Sequence, residues 1–254
     1  MVSNINYPSL DLSTIPSICM WYDFNDTSTL TLTAYDPNYE RIITTITDKI
    51  NGFVATTVSG SIVRSLALQN GAVFNTGAMA IDLNAVSVLT SQSTIAIVMV
   101  ATAPSGVGTF ISYSDFSVPS TEFAMRMIRG EFVATARNNG AGLLASGNNW
   151  STGKFHANND EIRLMIYIAD GSQSRFITKY KKVDFFTVVD ANSVSFNSIS
   201  PSPGNRSLLI GANRDKGGYQ WKSTGHMYEL ALFSSLSDIE LENIITHYTG
   251  KYGL

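Results

Sequence analysis

The chain has 254 residues and a formal net charge of −3, because it contains 20 acidic and 17 basic side chains. This balance disfavours a dominant phosphate-binding surface, so we expect no nucleic-acid partner. The single cysteine, Cys19, excludes an internal disulfide framework. The longest apolar stretches are too short to span a bilayer, so no membrane insertion is expected. Charged residues make up only 15% of the chain, and Ser, Thr, Asn and Gly are plentiful, which is typical of extracellular or virion β-proteins.

The chain divides into a short N-terminal segment and one long domain. Residues 1–17 carry Asn, Ser and Pro at short intervals, which predicts either a tail that docks on a partner subunit or a frayed terminus. Residues 18–254 contain no linker, so we expect a single domain there. Residues 1–11 lack a basic start followed by an apolar run, and no secretion signal is expected. We favour assembly in a host cytoplasm and release by lysis, as for proteins of a virion surface.

Strand signals dominate the domain. The run from Thr94 to Ala101 is almost continuously apolar, which predicts a strand buried on both faces. Further strand signals lie at 108–114, 122–128, 131–136, 161–169, 175–180, 183–189, 207–211 and 226–233. This spacing of strands and turns predicts an all-β, two-sheet sandwich or jelly roll.

The chain ends in a helix signal. Ser237 is a suitable N-cap, and Glu240 three residues later completes a capping box. Apolar side chains then recur at helical spacing. They are Leu241, Ile244, Ile245 and Tyr248. Gly250 follows as a left-handed stop, so the pattern predicts one short helix that closes the chain.

Three segments together resemble a known family. They are the strand His226-Met-Tyr-Glu229-Leu-Ala-Leu-Phe233, the turn Leu236-Ser237-Asp238-Ile239-Glu240 with the ending Lys251-Tyr252-Gly253-Leu254, and the opening Met20-Trp21-Tyr22-Asp23. This combination resembles the concanavalin A-like lectin/glucanase superfamily, in its laminin-G-like branch, of the type found in bacteriophage virion proteins. The resemblance implies a jelly-roll β-sandwich of two antiparallel sheets with one short C-terminal helix. It implies little about activity, because this fold carries unrelated functions.

Sugar binding requires an aromatic face ringed by amide and carboxylate groups. Two predicted loops offer such a combination. The candidate ligand-binding residues are Asn149, Trp150, Asn213, Arg214, Asp215, Tyr219 and Trp221. The alternative is that these aromatic side chains pack between the sheets and support the fold.

The signals for catalysis and metal binding are weak. Glucanases of the superfamily place two Glu and one Asp on alternate positions of one strand, and this chain has no such strand. We therefore expect no catalytic residues and no enzyme activity. Calcium held by loop carboxylates is an alternative, but turn formation by Asp is the interpretation that we favour. The carboxylates concerned are Asp23, Asp26, Asp48 and Asp215.

Three functions remain open at this stage. The first is a non-enzymatic bacteriophage virion protein of the tail, fibre or capsid surface that binds host surface glycans. The second is a purely structural decoration or assembly protein of the virion without a sugar site. The third is a glycan-degrading enzyme with an unfamiliar site. The expected partners are host glycans, other virion subunits and further copies of the chain in a homo-oligomer.

Overall fold

The computed structural model describes residues 10–33, 41–65, 71–81, 94–102, 107–115, 121–128, 131–138, 141–146, 161–169, 174–180, 183–190, 206–215, 218–220 and 222–254. Within these ranges the chain forms seventeen strands, two single-turn 3-10 helices and one α-helix, α1 (Asp238–Tyr252). The strands are β1 (Ile18–Asp23), β2 (Leu30–Leu32), β3 (Ile43–Thr47), β4 (Val54–Arg64), β5 (Ala72–Ile81), β6 (Ile95–Thr102), β7 (Val107–Asp115), β8 (Thr121–Ile128), β9 (Glu131–Asn138), β10 (Ala141–Ser146), β11 (Ile162–Ala169), β12 (Ser174–Tyr180), β13 (Val183–Asp190), β14 (Arg206–Ile210), β15 (Asn213–Asp215), β16 (Gly218–Gln220) and β17 (Thr224–Phe233). None of the helices in this part of the chain has the length and apolar content needed to cross a membrane.

The strands form an antiparallel sandwich. The helix-side layer runs β1-β17-β6-β11-β12-β13, and the open layer runs β2-β3-β4-β5-β14-β7-β8-β9-β10. The rings of Phe123 on β8 and Tyr167 on β11 lie 6.0 Å apart, although five strands separate them along the hydrogen-bonded path. The sheet must therefore fold back on itself, and its two halves face each other. This confirms the predicted all-β sandwich with one C-terminal helix.

The two layers are joined by hydrogen bonds rather than being separate sheets. Strand β17 pairs with β5 through residues 224–227 and with β1 through residues 229–233. A register irregularity between Met227 and Glu229 separates these two stretches in the pairing of β17 with β6. One long strand therefore belongs to both layers, because its irregularity lets its two halves follow different neighbours.

Two apolar cores lie on opposite faces of the helix-side layer. On β6, Ile97 and Met99 point into the main core between the layers. The intervening Val98 and Val100 point into a second core beneath α1. Because successive residues of a strand alternate faces, burial on both sides requires a continuous apolar run. The sequence-based prediction for this strand is confirmed.

The start of α1 agrees with the prediction, and its end does not. The Ser237 side chain accepts from the Glu240 N–H, and the Glu240 carboxylate accepts from the Ser237 N–H at 2.8 Å. The helix continues through Gly250 and ends at Gly253, whose φ is 66°. The extra residues include Tyr252, which is buried against the sheet. The tertiary contacts of this last turn therefore override the local stop signal at Gly250.

A buried carboxylate joins α1 to both of the strands beneath it. Glu229 of β17 is fully buried and accepts from Trp21 Nε1 of β1 at 2.9 Å. Tyr248 and Tyr252 of α1 donate hydroxyl hydrogen bonds to it at 3.1 and 2.6 Å. Lys251 Nζ completes the set with an ion pair at 2.5 Å. We call these five residues the Glu229 cluster.

Three of the acidic residues considered for calcium have structural partners. Asp48 accepts the backbone N–H groups of Trp21, Ile50 and Asn51, which holds the turn after β3 against β1. Asp26 caps the 3-10 helix Thr27–Thr29 and pairs with Lys49 at 3.0 Å. Asp23 is buried and accepts from the backbone N–H of Asn25. These contacts agree with the favoured interpretation, in which Asp forms turns.

The described part of the N-terminal segment packs on its own chain. Leu12 is fully buried and Ile15 nearly so, both in the core beneath α1. The Leu10 N–H donates to His247 Nδ1 at 3.2 Å. Residues 1–9 lie outside the described residues, so docking on a partner subunit stays a prediction.

The first prediction concerns Glu229. Glu229→Gln removes the charge that pairs with Lys251 and replaces one acceptor oxygen by an NH2 donor that meets a ring of donors, so we expect a loss of about 3–5 kcal/mol in the free energy of unfolding. Urea unfolding followed by circular dichroism measures it. The control is Glu242→Gln on the exposed face of α1, which should stay within about 0.5 kcal/mol of the parent. Equal effects of the two changes would contradict the assigned role.

The second prediction concerns Asp26. Hydrogen bonds from Ser28, and then Lys49, lower the pKa of Asp26 from 3.8 to about 2. Its charge therefore contributes stability that is present above pH 3.8 and is lost as the pH falls toward 2. Asp26→Asn keeps the capping oxygen, so it should lower the melting temperature at pH 7 and match the parent near pH 2. A difference that persists undiminished at pH 2 would show that the charge is not responsible.

Candidate functional site

The β15–β16 hairpin contains four of the seven predicted ligand-binding residues, and β7 holds both of its ends. Before the hairpin, the Ser112 hydroxyl of β7 donates to the Ala212 carbonyl at 2.7 Å. After the hairpin, the Ser223 N–H donates to the Gly211 carbonyl at 2.7 Å. The Ser223 hydroxyl donates to the Thr109 carbonyl at 2.6 Å. The hairpin therefore lies over β7 and the neighbouring β8 on the open layer.

Gly211 allows the chain to turn out of β14 into the hairpin. Its φ of +83° lies in the region that glycine adopts readily and that other residues avoid. A Cβ at this position would lie 2.5 Å from the Phe74 ring and 2.8 Å from the Gly77 carbonyl oxygen. The backbone thus passes directly over the core of β5, which brings the hairpin close to the sheet.

The hairpin register places the predicted residues in adjacent pairs. Asn213 pairs with Gln220, Arg214 with Tyr219, and Asp215 with Gly218. Asn213 is buried, whereas Tyr219 is half-buried and keeps part of its surface accessible. Residues Trp221, Asn149 and Trp150 lie outside the described residues, so their roles stay predictions.

A row of side chains, all of them small except Leu209, crosses the outer face of the open layer beside this hairpin. Strand pairing aligns Thr31, Thr45, Thr56, Ala80, Leu209, Ser112 and Ala124 across seven strands. The adjacent row belongs to the main core. It contains Ile46, Ala55, Ile81, Leu208, Tyr113 and Phe123. Because faces alternate along each strand, the row of small side chains points away from the core.

Burial divides this row into two halves. Leu209, Ser112 and Ala124 are fully buried, on strands where the hairpin lies or that adjoin it. Thr31 and Thr56 are exposed. The hairpin thus ends in the middle of a sheet face, and the face remains open over β2 to β5.

An apolar strip with a central hydroxyl runs along β4 on this open half. Val54 and Val58 are 38% and 40% exposed, and the exposed Thr56 lies between them along the strand. A register irregularity between Thr57 and Ser59 then pairs Ser59 with Ala78, on the same face as the pair of Thr56 and Ala80. We call Val54, Thr56 and Val58 the open strip. The Lys222 ammonium, which follows the hairpin, donates to the Ser59 hydroxyl at 2.9 Å. The hairpin and the open strip are therefore contiguous.

The open strip is the part of the site that the sequence did not reveal. The segment around Thr56 reads Val-Ala-Thr-Thr-Val, with β-branched residues at both odd and even positions. Such a pattern predicts a strand but leaves its buried face undecided, because either face could enter the core. A weak signal exists: Ala55 is the one small apolar residue among larger neighbours, and it is the residue that faces the core.

The buried carboxylates do not form a catalytic pair. Burial raises the pKa of Asp23, and the nearby Glu229 raises it further, while Lys251 acts in the opposite direction. Glu229 itself is fully buried within the Glu229 cluster, so a substrate has no access to it. Within the described ranges, no group of three or more His, Cys, Asp or Glu side chains is arranged to hold a metal ion.

The third prediction concerns Gly211. Gly211→Ala should cost about 3 kcal/mol or more, because the strained φ and a clash with Phe74 and Gly77 add together. Gly253→Ala is the matched control, since its φ is also positive but nothing lies within 4 Å of the added Cβ. The control should lose only about 1 kcal/mol. Similar losses in chemical denaturation would show that the close approach over β5 does not matter.

No family model matches the sequence, and a search of curated proteins gives no match. Among solved structures, the chain is similar to the binding domain of botulinum neurotoxin serotype D/C, with a TM-score of 0.53 and 10% identity. The similarity covers 91% of this chain and 52% of the toxin domain. This likeness concerns the fold.

Two further structures resemble the chain less closely overall. The NanB sialidase from Streptococcus pneumoniae aligns with a TM-score of 0.47 and 17% identity over 66% of this chain and 26% of the sialidase. The Ruminococcus gnavus IT-sialidase CBM40 aligns with a TM-score of 0.47 and 13% identity over 64% of this chain and 87% of that domain. The chain therefore spans only about a quarter of the sialidase's length. What the comparisons establish is a β-sandwich fold, shared over most of the chain with the binding domain of a neurotoxin.

Proposed function

We propose that this chain is a non-enzymatic, lectin-like protein that binds host surface glycans through the β15–β16 hairpin and the open strip. The single observation that carries the proposal is the contiguity of the two, shown by the hydrogen bond from Lys222 to Ser59. The hairpin contains Tyr219, Arg214 and Asp215 in its strands, and the open strip provides an exposed apolar surface. Trp221, directly before Lys222, belongs to the same segment of chain.

The chemistry of this surface suits a sugar. A sugar ring presents C–H groups on its faces and hydroxyl groups around its edge, so it needs apolar contact and hydrogen-bonding partners side by side. The open strip places the hydroxyl of Thr56 between two valine side chains. Because the open half of the face continues toward Thr31, it has room for more than one sugar unit.

We further propose that the chain acts at a bacteriophage virion surface, on a tail, fibre or capsid. Two features support this setting: the motifs at both ends resemble those of lectin-like domains in virion proteins, and the content of charged residues is low. The scaffold it shares with a toxin's binding domain is suited to recognition. Other virion subunits and further copies of the chain are the proposed protein partners.

The fourth prediction tests glycan recognition. The purified protein is screened on an array of bacterial surface polysaccharides, with and without calcium. A glycan that binds the parent should bind about tenfold more weakly, or worse, to Trp221→Ala and to Tyr219→Ala, because loss of an aromatic ring that anchors a ligand costs about 1.4 kcal/mol or more. Ile239→Ser on α1 is the control, since this side chain is 74% exposed and lies on the other layer. Binding by the control should be unchanged.

The other outcomes separate the alternatives. Silence across the array from a folded protein would contradict glycan binding and favour a purely structural virion role, in which another subunit covers the open strip. Light scattering would then report the oligomer. Release of reducing ends from a bound polysaccharide would instead favour a glycan-degrading enzyme. The proposed virion location has its own test. An antiserum against the chain should label particles that sediment after lysis. Label confined to the soluble fraction would contradict the virion location.

A further inference from the structure

A cavity of about 240 Å3 lies where α1 begins, at one end of the helix-side layer. Its apolar surface is formed by Ile95 of β6, Ile168 and Ala169 of β11, and Leu236 of the turn before the helix. Arg175 of β12 also lines it and is, among the residues that the structure describes, the one charged side chain in the lining. The cavity belongs to the layer opposite the open strip, so it is independent of the proposed glycan site.

Arg175 has a partner that a ligand can replace. Its Nη1 lies 3.5 Å from one carboxylate oxygen of Asp238, at the outer limit of a hydrogen bond. The Asp238 side chain is 90% exposed, whereas that of Arg175 is 31% exposed. An exposed ion pair of this geometry contributes little to stability. A guanidinium normally holds an anion through two parallel N–H donors, and this single long contact leaves that capacity unused.

Two hydroxyl side chains, Thr94 and Ser235, make up the rest of the described polar lining. The Thr94 hydroxyl donates its hydrogen to the Ser234 carbonyl at 2.5 Å, so its oxygen presents acceptor sites toward its surroundings. These sites suit a hydroxyl or N–H group on a ligand. Among its described residues, the cavity thus offers one guanidinium, two hydroxyl groups and an apolar floor.

We propose that this cavity binds a small carboxylate that has an apolar body. The single guanidinium matches one carboxylate, and the apolar floor favours a ligand with a hydrocarbon face over an inorganic phosphate or sulfate. A volume of about 240 Å3 equals that of about eight water molecules. It lies just below the range of pockets for drug-sized ligands, so the ligand is small. Such a carboxylate comes from a free aliphatic or aromatic acid or from an acidic sugar.

The fifth prediction tests the charge requirement. Benzoate and its neutral isostere benzamide are titrated against the full chain by ligand-observed NMR. We expect benzoate to bind and benzamide to bind at least about tenfold more weakly, because a charge-assisted hydrogen bond is lost. Arg175→Gln should weaken benzoate by a similar factor and leave benzamide unchanged. Equal binding of the two compounds, or benzoate binding that is unaffected by Arg175→Gln, would overturn the proposal.

A second variant distinguishes a loss of binding from a loss of folding. Asp238→Asn removes the competing carboxylate while the cap at Ser237 remains, so benzoate should bind more tightly by about two- to threefold. A role of Arg175 limited to stability would not produce this gain. A comparison of glucuronate with glucose distinguishes the two sources of the carboxylate. Binding of glucuronate but not glucose, if it requires Arg175, identifies an acidic sugar. Binding of benzoate without binding of glucuronate identifies a free organic acid. A folded protein that binds none of the carboxylates would overturn the proposal.

Discussion

The carboxylate of Glu229 is the group on which the arrangement of helix, sheet and N-terminal strand depends. A charge buried in the interior is costly unless it is paired and hydrogen-bonded. Here the compensation comes from two elements: Trp21 of β1, and Tyr248, Tyr252 and Lys251 of α1. Each donor reaches the carboxylate only if its own element lies in one place and orientation. The cluster therefore determines where α1 crosses the sheet and where β1 joins it.

The same cluster explains the role of the motif residues that resemble those of lectin-like domains. Trp21, Glu229 and the adjacent pair Lys251 and Tyr252 belong to three different elements and meet around one carboxylate. Asp48 extends the arrangement by accepting the Trp21 backbone N–H, and Lys49 lies 4.2 Å above the Trp21 ring. These residues support the fold and do not face a ligand. The motif thus indicates a scaffold, and recognition has to come from other residues.

The two sheet faces that point away from the main core are covered to different extents. On the helix-side layer, α1 and residues 10–15 cover a second apolar core, and the cavity at Arg175 lies where that cover begins. On the open layer, the β15–β16 hairpin covers β7 and adjoining strands and leaves the face over β4 accessible. Coverage is incomplete because the hairpin is only three residues long on each side. The glycan site is therefore proposed on the open layer, and the carboxylate site on the helix-side layer.

The sequence by itself determined the elements whose signals are local. The apolar run of β6 predicted a doubly buried strand, and Ser237 with Glu240 predicted the start of α1; both are confirmed. The grouping of Asn213 to Tyr219 was also local, because a hairpin brings near neighbours together. Only the tertiary structure decided the end of α1, since contacts of Tyr252 with Glu229 outweigh the stop signal at Gly250. It alone decided which face of β4 is buried, because that depends on strand partners far away in sequence. The open strip and the cavity at Arg175 exist for the same reason: each is made where distant segments meet.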